Sequence, residues 1–262
     1  MSAILFGSKI VHYEVLGRGR PVIFLHSWLG SWRYWIPAMQ VASKSFRAYA
    51  LDLWGFGDTA HDPEQYGLDD QIALLERFLL EMGIGKVALV GHGLGALIAL
   101  KFSRHFPNLV DRVMAVDCPL DVHAVDYRMH NTAPADLAEW LLGKNPLIAP
   151  VRMDVRKVDQ RAITRSLQGL DVMDFNVILN QMPVSCLFVH GQNDPAIASP
   201  HAGRRMLLSS LIHLVVLEQS GHFPMLEETR KFNRLLIDFL TLESGTSPVE
   251  IQLKEEWHRR VR

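Results

Sequence analysis

The segment VALVGHGLGALIALKF, residues 87–102, constrains this chain more than any other. Four apolar residues of strand type run into Gly91, Gly93 and Gly95, then into an apolar stretch at helical spacing. A buried strand that turns on glycine into a buried helix belongs to a parallel sheet, because parallel strands need crossovers and are covered on both faces. The rest of the chain keeps the alternation. Strands are expected over 10–15 (after a turn at Gly7 and Ser8), 22–26, 48–52, 87–90, 113–117, 184–190 and 212–217. Helices are expected over 32–42, 68–82 and 94–105. In the second of these, Asp69 and Asp70 complement the helix dipole, and Leu68, Ile72, Leu75, Leu79 and Met82 recur at helical spacing. Pro224 opens a last core helix with Met225, Phe232, Leu235, Leu236 and Phe239 as its buried face. The fold class is α/β.

One stretch breaks the pattern. From 119 to 183 no strand is evident, only helical fragments such as 136–142 and 161–167, so a helical insertion is expected there. The core is then 1–118 with 184–243. A polar tail of mixed charge follows over 244–262 and contains Trp257.

Composition excludes several classes. With 48% hydrophobic and 21% charged residues among 262, the chain has enough apolar surface to offset ordering entropy, so disorder is excluded as its main state. Basic and acidic residues number 27 and 28, and no basic stripe stands out, which argues against nucleic acid as a partner. The most apolar stretch, 87–100, is too short for a membrane span and is broken by glycines and a histidine. Two cysteines, Cys118 and Cys186, make no disulfide framework, and the N-terminus lacks the pattern of a signal peptide. A reducing, cytoplasmic setting is expected.

The glycine turn has two readings. As Gly91-x-Gly93-x-x-Ala96 it matches a relaxed dinucleotide fingerprint, with Asp117 near the place of a ribose-binding acid. As Gly91-His92-Gly93-Leu94-Gly95 it matches the frame of a nucleophile elbow whose central position holds glycine.

Four further motifs decide between them. PVIFLHSWLGS (21–31) resembles the strand and oxyanion loop of the α/β-hydrolase superfamily, with His26-Ser27 where His-Gly is usual. DLWGFGDT (52–59) resembles that family's glycine turn after a strand, HGQNDPAIAS (190–199) its acid loop, and QSGHFPMLEE (219–228) its histidine loop. The order of elbow, acid and histidine is also the superfamily's. The resemblance covers nearly the whole chain and implies an α/β-hydrolase fold, with the 119–183 insertion as a helical cap. It implies Asp194 and His222 as triad acid and base, Gly93 at the nucleophile position, and the main-chain N–H groups of Trp28 and Leu94 as the oxyanion hole. The dinucleotide reading becomes a distant alternative, its pattern a by-product of glycine at the elbow.

Glycine at 93 removes covalent catalysis at that residue but leaves the main-chain donors and the His–Asp pair in place. It also relieves the strained backbone of an elbow, so the change is easily accepted, whether natural or installed to trap a substrate. Serine restored at 93 is expected to regain a working nucleophile. Other nucleophiles remain open. Cys118 reads first as a small buried hydrophobe. Ser27 could touch substrate, although attack from its loop is not the expected geometry. A water activated by His222 is preferred over both. Asp117 is a weaker candidate than Asp194 for the histidine's partner, His92 is expected to pack in the elbow, and Asp52 to brace its turn. Trp54, with Ser27 and Cys118, is a candidate wall of an apolar pocket. No metal set is convincing, because His123 and His130 lack companion ligands, and no cofactor is implied. The expected function is that of a serine-esterase relative acting on small apolar carbonyl compounds, either inactivated or working through His222 and Asp194 as a general-base pair. The alternative is a ligand-binding protein that keeps the pocket without turnover.

Overall fold

The computed structural model describes residues 2–142, 146–200 and 209–251. One sheet organises them. Its strands are β1 (Ser2–Phe6), β2 (Lys9–Gly17), β3 (Arg20–Leu25), β4 (Phe46–Leu51), β5 (Val87–His92), β6 (Val110–Val116), β7 (Ser185–Gly191) and β8 (Ile212–Leu217). Their spatial order is β1-β2-β4-β3-β5-β6-β7-β8. β1 and β2 are antiparallel to their neighbours, and every pairing from β4 to β8 is parallel.

The helices take their faces from this order. The chain moves one way from β3 to β4 through α1 (Ile36–Ala42), and the other way from β4 to β5 through α2 (Leu68–Glu81). It continues that second way from β5 to β6 through α3 (Leu94–His105). Right-handed crossovers in opposite directions place their helices on opposite faces. Accordingly α1 packs with the helix Thr229–Thr241, and α2 packs with α3. The direction reverses at β3, which lies between β4 and β5, and ligand sites form in the crevice at the carboxyl ends of such strands. The loops carrying Ser27 and Gly93 leave the sheet at that crevice. Leu25 pairs with Gly91 in register, so the two loops start side by side.

Between β6 and β7 lie α4 (Arg128–Asn131), α5 (Pro134–Leu142), α6 (Ala149–Asp154), α7 (Gln160–Gln168) and α8 (Phe175–Asn180). The described residues of 119–183 contain no strand, only a bridge from Val125 to Ile197. The segment is tied over the loops after β3 and β4. The Trp28 indole N–H donates to Ser166 Oγ in α7 at 3.0 Å, and the Tyr66 hydroxyl donates to Asp159 Oδ2 at 2.9 Å. Asp154, at the end of α6, accepts from the Ser31 hydroxyl at 2.5 Å and from Arg33 Nε at 3.0 Å.

Three elements differ from the sequence reading. Strand β1 was not expected, because among its residues only Phe6 is buried, so no apolar face marks it. Gly7 at φ +65° turns it back onto β2, with Phe6 paired to Lys9. The last helix is broken at Glu228, giving Pro224–Glu227 and Thr229–Thr241, while its five expected core residues are all buried. The polar segment from 244 is docked as far as Ile251. Ser244 donates to Asp111, Ser185 donates to the Thr246 carbonyl, and Ile251 is buried. Trp257 lies outside the described residues.

Candidate active site

The elbow is set by close approach. Gly95 N–H donates to the His26 carbonyl at 3.0 Å, and a β-carbon on Gly95 would overlap the Leu25 backbone. A β-carbon on Gly91 would overlap Gly95 in turn, so only glycine fits either place. Gly93 between them caps α3 with φ +48° and ψ −108°, a conformation costly for any residue with a side chain.

Asp194 and His222 follow β7 and β8, and so reach the same edge of the sheet as Gly93. Asp194 Oδ1 accepts the main-chain N–H groups of Ala196 (2.7 Å) and Ile197 (3.2 Å), which orients the carboxylate. Its Oδ2 lies 2.8 Å from His222 Nδ1. An ionised carboxylate has only lone pairs to offer, so Nδ1 carries the proton and Nε2 presents a basic lone pair. Among the described residues Nε2 is buried without a hydrogen-bond partner. The imidazole is 4.6 Å, centroid to centroid, from the ring of His92, the residue before Gly93.

The histidine loop is clamped from behind. Glu227 Oε2 accepts N–H from Gly221 (2.6 Å) and Phe223 (3.4 Å), the residues on either side of His222. Burial pushes the Glu227 carboxyl up, and those two donors oppose the shift. Glu228 accepts from the Ser220 hydroxyl and the Gln219 N–H. Sequence reasoning passed over both glutamates. Their signal was two acids in the turn after a Gly-His-Phe-Pro loop, where free main-chain donors need acceptors.

The loop after β3 is equally fixed. His26 contacts the Ser27 carbonyl through Nδ1 at 2.8 Å and accepts the Leu53 N–H at Nε2, and burial lowers its pKa, so it is a neutral brace. Ser27 N–H donates to the Tyr34 hydroxyl at 2.7 Å, which leaves that hydroxyl's proton for His92 Nδ1 at 3.0 Å. Tyr34 was also missed, although a buried tyrosine hydroxyl regularly marks a polar neighbour. The amides of Ser27, Gly93 and Gly95 are all spent on internal acceptors. Those of Trp28 and Leu94 donate to no hydrogen bond among the described residues. The Ser27 side chain points at Gly93. A β-carbon built on Gly93 would overlap the Ser27 hydroxyl and stand 3.1 Å from a Trp28 ring carbon. Serine at 93 would therefore require the Ser27 side chain to move, a demand that the sequence alone does not reveal.

The other candidates take different places. Cys118 is buried with its Sγ directed at the Pro119 carbonyl, and burial holds it as a thiol, so it is no ready nucleophile. Trp54 packs edge-on against Phe6, and Gln71 clips its main chain. Asp117 accepts Gly191 N–H and faces His190, while His222 takes Asp194. His123 and His130 are exposed. His12, Asp52 and Asp58 form a group of metal-ligand type, but the oxygens of Asp52 already take Trp32 N–H, Asp58 N–H and His12 Nδ1. Asp58 is bound to Lys157. That group braces the 52–59 turn.

Known proteins resemble this chain over most of its length. A family model described as alpha/beta hydrolase family matches residues 22–235. The chain is 24% identical over 90% of its length to a 2-hydroxy-6-oxo-6-(2'-aminophenyl)hexa-2,4-dienoic acid hydrolase of Metapseudomonas resinovorans, covering 89% of that protein. It is 25% identical over 88% of its length to a pimeloyl-[acyl-carrier protein] methyl ester esterase of Vibrio cholerae, covering 98% of it. The fold superposes on a meta-cleavage product hydrolase from Pseudomonas fluorescens with a TM-score of 0.78 at 21% identity, covering 92% of this chain and 97% of that one. Sheet order, elbow and family match together place this chain in the alpha/beta hydrolase family.

Proposed function

We propose that this protein hydrolyses small, largely apolar carbonyl compounds, with His222 as general base, Asp194 as its orienting acid, and the amides of Trp28 and Leu94 as the oxyanion hole. The observation that carries the reading is the buried 2.8 Å contact of His222 Nδ1 with Asp194, with Nε2 uncommitted beside the elbow. In this scheme Nε2 takes the proton of the attacking hydroxyl, the two amides receive the charge that develops on the carbonyl oxygen, and the imidazolium returns the proton to the leaving group. Residue 93 contributes no atom to the attack. The substrate class rests on the apolar neighbours Trp28, Leu94 and Phe223, and on relatives named for a dienoic oxo acid and a methyl ester. Residues 119–183 act as the cap, held by Trp28–Ser166 and Tyr66–Asp159. No helix among the described residues is long and apolar enough to cross a membrane, and the two buried free cysteines suit a reducing, cytoplasmic setting.

Gly93 favours a second reading, a ligand-binding protein without turnover. Hydrolysis of short nitrophenyl esters by the purified chain, beside His222→Ala, separates the two. The hydrolase reading expects turnover that the substitution lowers on the order of 10³-fold or more. Equal rates in the two proteins would leave the binding protein.

A further inference from the structure

Sequence reasoning left the attacking oxygen open and gave Ser27 only a place near substrate. We infer that Ser27 is the nucleophile, its hydroxyl transposed from the elbow to the facing loop; the inference rests on the His222–Asp194 reading above.

Three observations converge. The Ser27 hydroxyl stands where the β-carbon of a residue at 93 would lie, so it is a hydroxyl directed at the elbow position that glycine leaves without a side chain. Position 93 holds glycine, so the elbow has no side-chain nucleophile of its own, and the hydroxyl that faces it is that of Ser27. Finally, Ser27 Oγ is buried with no hydrogen-bond partner among the described residues, and so is His222 Nε2. A buried hydroxyl left unpaired is costly unless another role retains it. Here an unpaired donor and an unpaired base both stand at the elbow, Ser27 Oγ against Gly93 and the His222 ring 4.6 Å from that of His92. They are not bonded to each other in this conformation, as is common before substrate tightens a catalytic hydrogen bond.

The rest of the loop suits the role. Ser27 N–H is pinned by Tyr34, whose own hydroxyl is held against His92, so the backbone beneath the nucleophile is fixed. The two oxyanion amides exchange places with the serine. Trp28 becomes the residue after the nucleophile, and Leu94 becomes the donor from the facing loop.

The step balances. Ser27 Oγ loses its proton to His222 Nε2 and bonds to the carbonyl carbon, while the carbonyl π pair moves onto oxygen against the Trp28 and Leu94 amides. Collapse expels the alcohol, which takes the proton back from His222. Water, the co-substrate of any hydrolase, then attacks the Ser27 ester by the same proton route, releasing the acid and restoring the hydroxyl.

The test compares the unmodified protein with Ser27→Ala, Ser31→Ala and His222→Ala, each checked for folding by circular dichroism. It measures nitrophenyl acetate hydrolysis, including the burst. Labelling by a fluorophosphonate probe is read by fragment-ion sequencing that separates Ser27 from Ser31. Label on Ser27, a burst near one equivalent, and loss of both in Ser27→Ala with a rate fall on the order of 10³-fold support the assignment. Ser31→Ala, whose hydroxyl is spent on Asp154 and the Arg33 N–H, should keep the label and the rate. A Ser27→Ala protein within about threefold of the parent overturns Ser27 while His222→Ala still abolishes turnover, and water is then the nucleophile. If His222→Ala is equally active, the general-base reading falls too.

Discussion

The Ser27 hydroxyl occupies the space that a β-carbon on Gly93 would require, so serine at 93 has to displace the Ser27 side chain. Gly93→Ser alone should therefore destabilise the protein. The left-handed backbone at φ +48° costs about 1–3 kcal/mol with a side chain, and displacement of Ser27 adds to it. At this chain length each kcal/mol corresponds to roughly 2–4 °C in Tm. The double variant Ser27→Gly with Gly93→Ser should recover part of that loss and accept the fluorophosphonate label at 93. Thermal melts and mass spectrometry of both proteins check this. A single variant that melts with the parent would show that Ser27 yields freely.

Asp194 and Asp117 should respond oppositely to amidation. Asp194→Asn removes the acceptor that fixes the His222 tautomer and should lower turnover by about 10³–10⁴-fold. Asp117→Asn should leave turnover unchanged, because His222 does not bond to it. Its effect is on stability. Burial, and then the charge of Asp194, push the Asp117 carboxyl well above its ordinary 3.8. A group raised on folding contributes stability below its unfolded pKa and loses it as pH rises towards the folded value. Asp117→Asn should thus gain on the parent as pH rises from 4 to 8. The residue's φ of +39° also suits asparagine. Urea unfolding across that range is the measurement, and a parent that stays ahead at pH 8 would contradict it.

Glu227 acts on His222 through the main chain. Glu227→Ala leaves the amides of Gly221 and Phe223 without their carboxylate and should let the imidazole drift. Misplacement by about 1 Å can cost on the order of 10²-fold in kcat. Glu227→Gln keeps an acceptor oxygen and should restore most of the rate, with KM little changed in both. Steady-state kinetics on one ester decide it.

Ser166→Ala should loosen the helical segment over the site. The Trp28 indole N–H, fully buried, would lose its 3.0 Å acceptor. An unsatisfied buried donor costs about 1–3 kcal/mol. Denaturant melts should show a loss of that size, whereas Gln168→Ala on the exposed face of the same helix should show little.

Much of this architecture was fixed locally. Strand-length apolar runs, helical spacing over 68–82 and 94–105, and prolines and glycines at element ends were enough for an α/β sheet with a helical insertion. The edge strand Ser2–Phe6 was invisible because a strand with one buried residue leaves no pattern, and Glu228, whose φ −117° and ψ +50° break the last helix, is not a helix-breaking residue type. Gly91, Gly95, Asp194 and His222 were legible as motifs, since turn chemistry and order survive in sequence. What occupies the space over Gly93 was not. Ser27 and Gly93 are 66 residues apart in the chain, and their close approach exists only because β3 pairs with β5 in the register that sets Leu25 beside Gly91. Local interactions determine the elements. Only long-range strand pairing decides that the Ser27 hydroxyl faces Gly93.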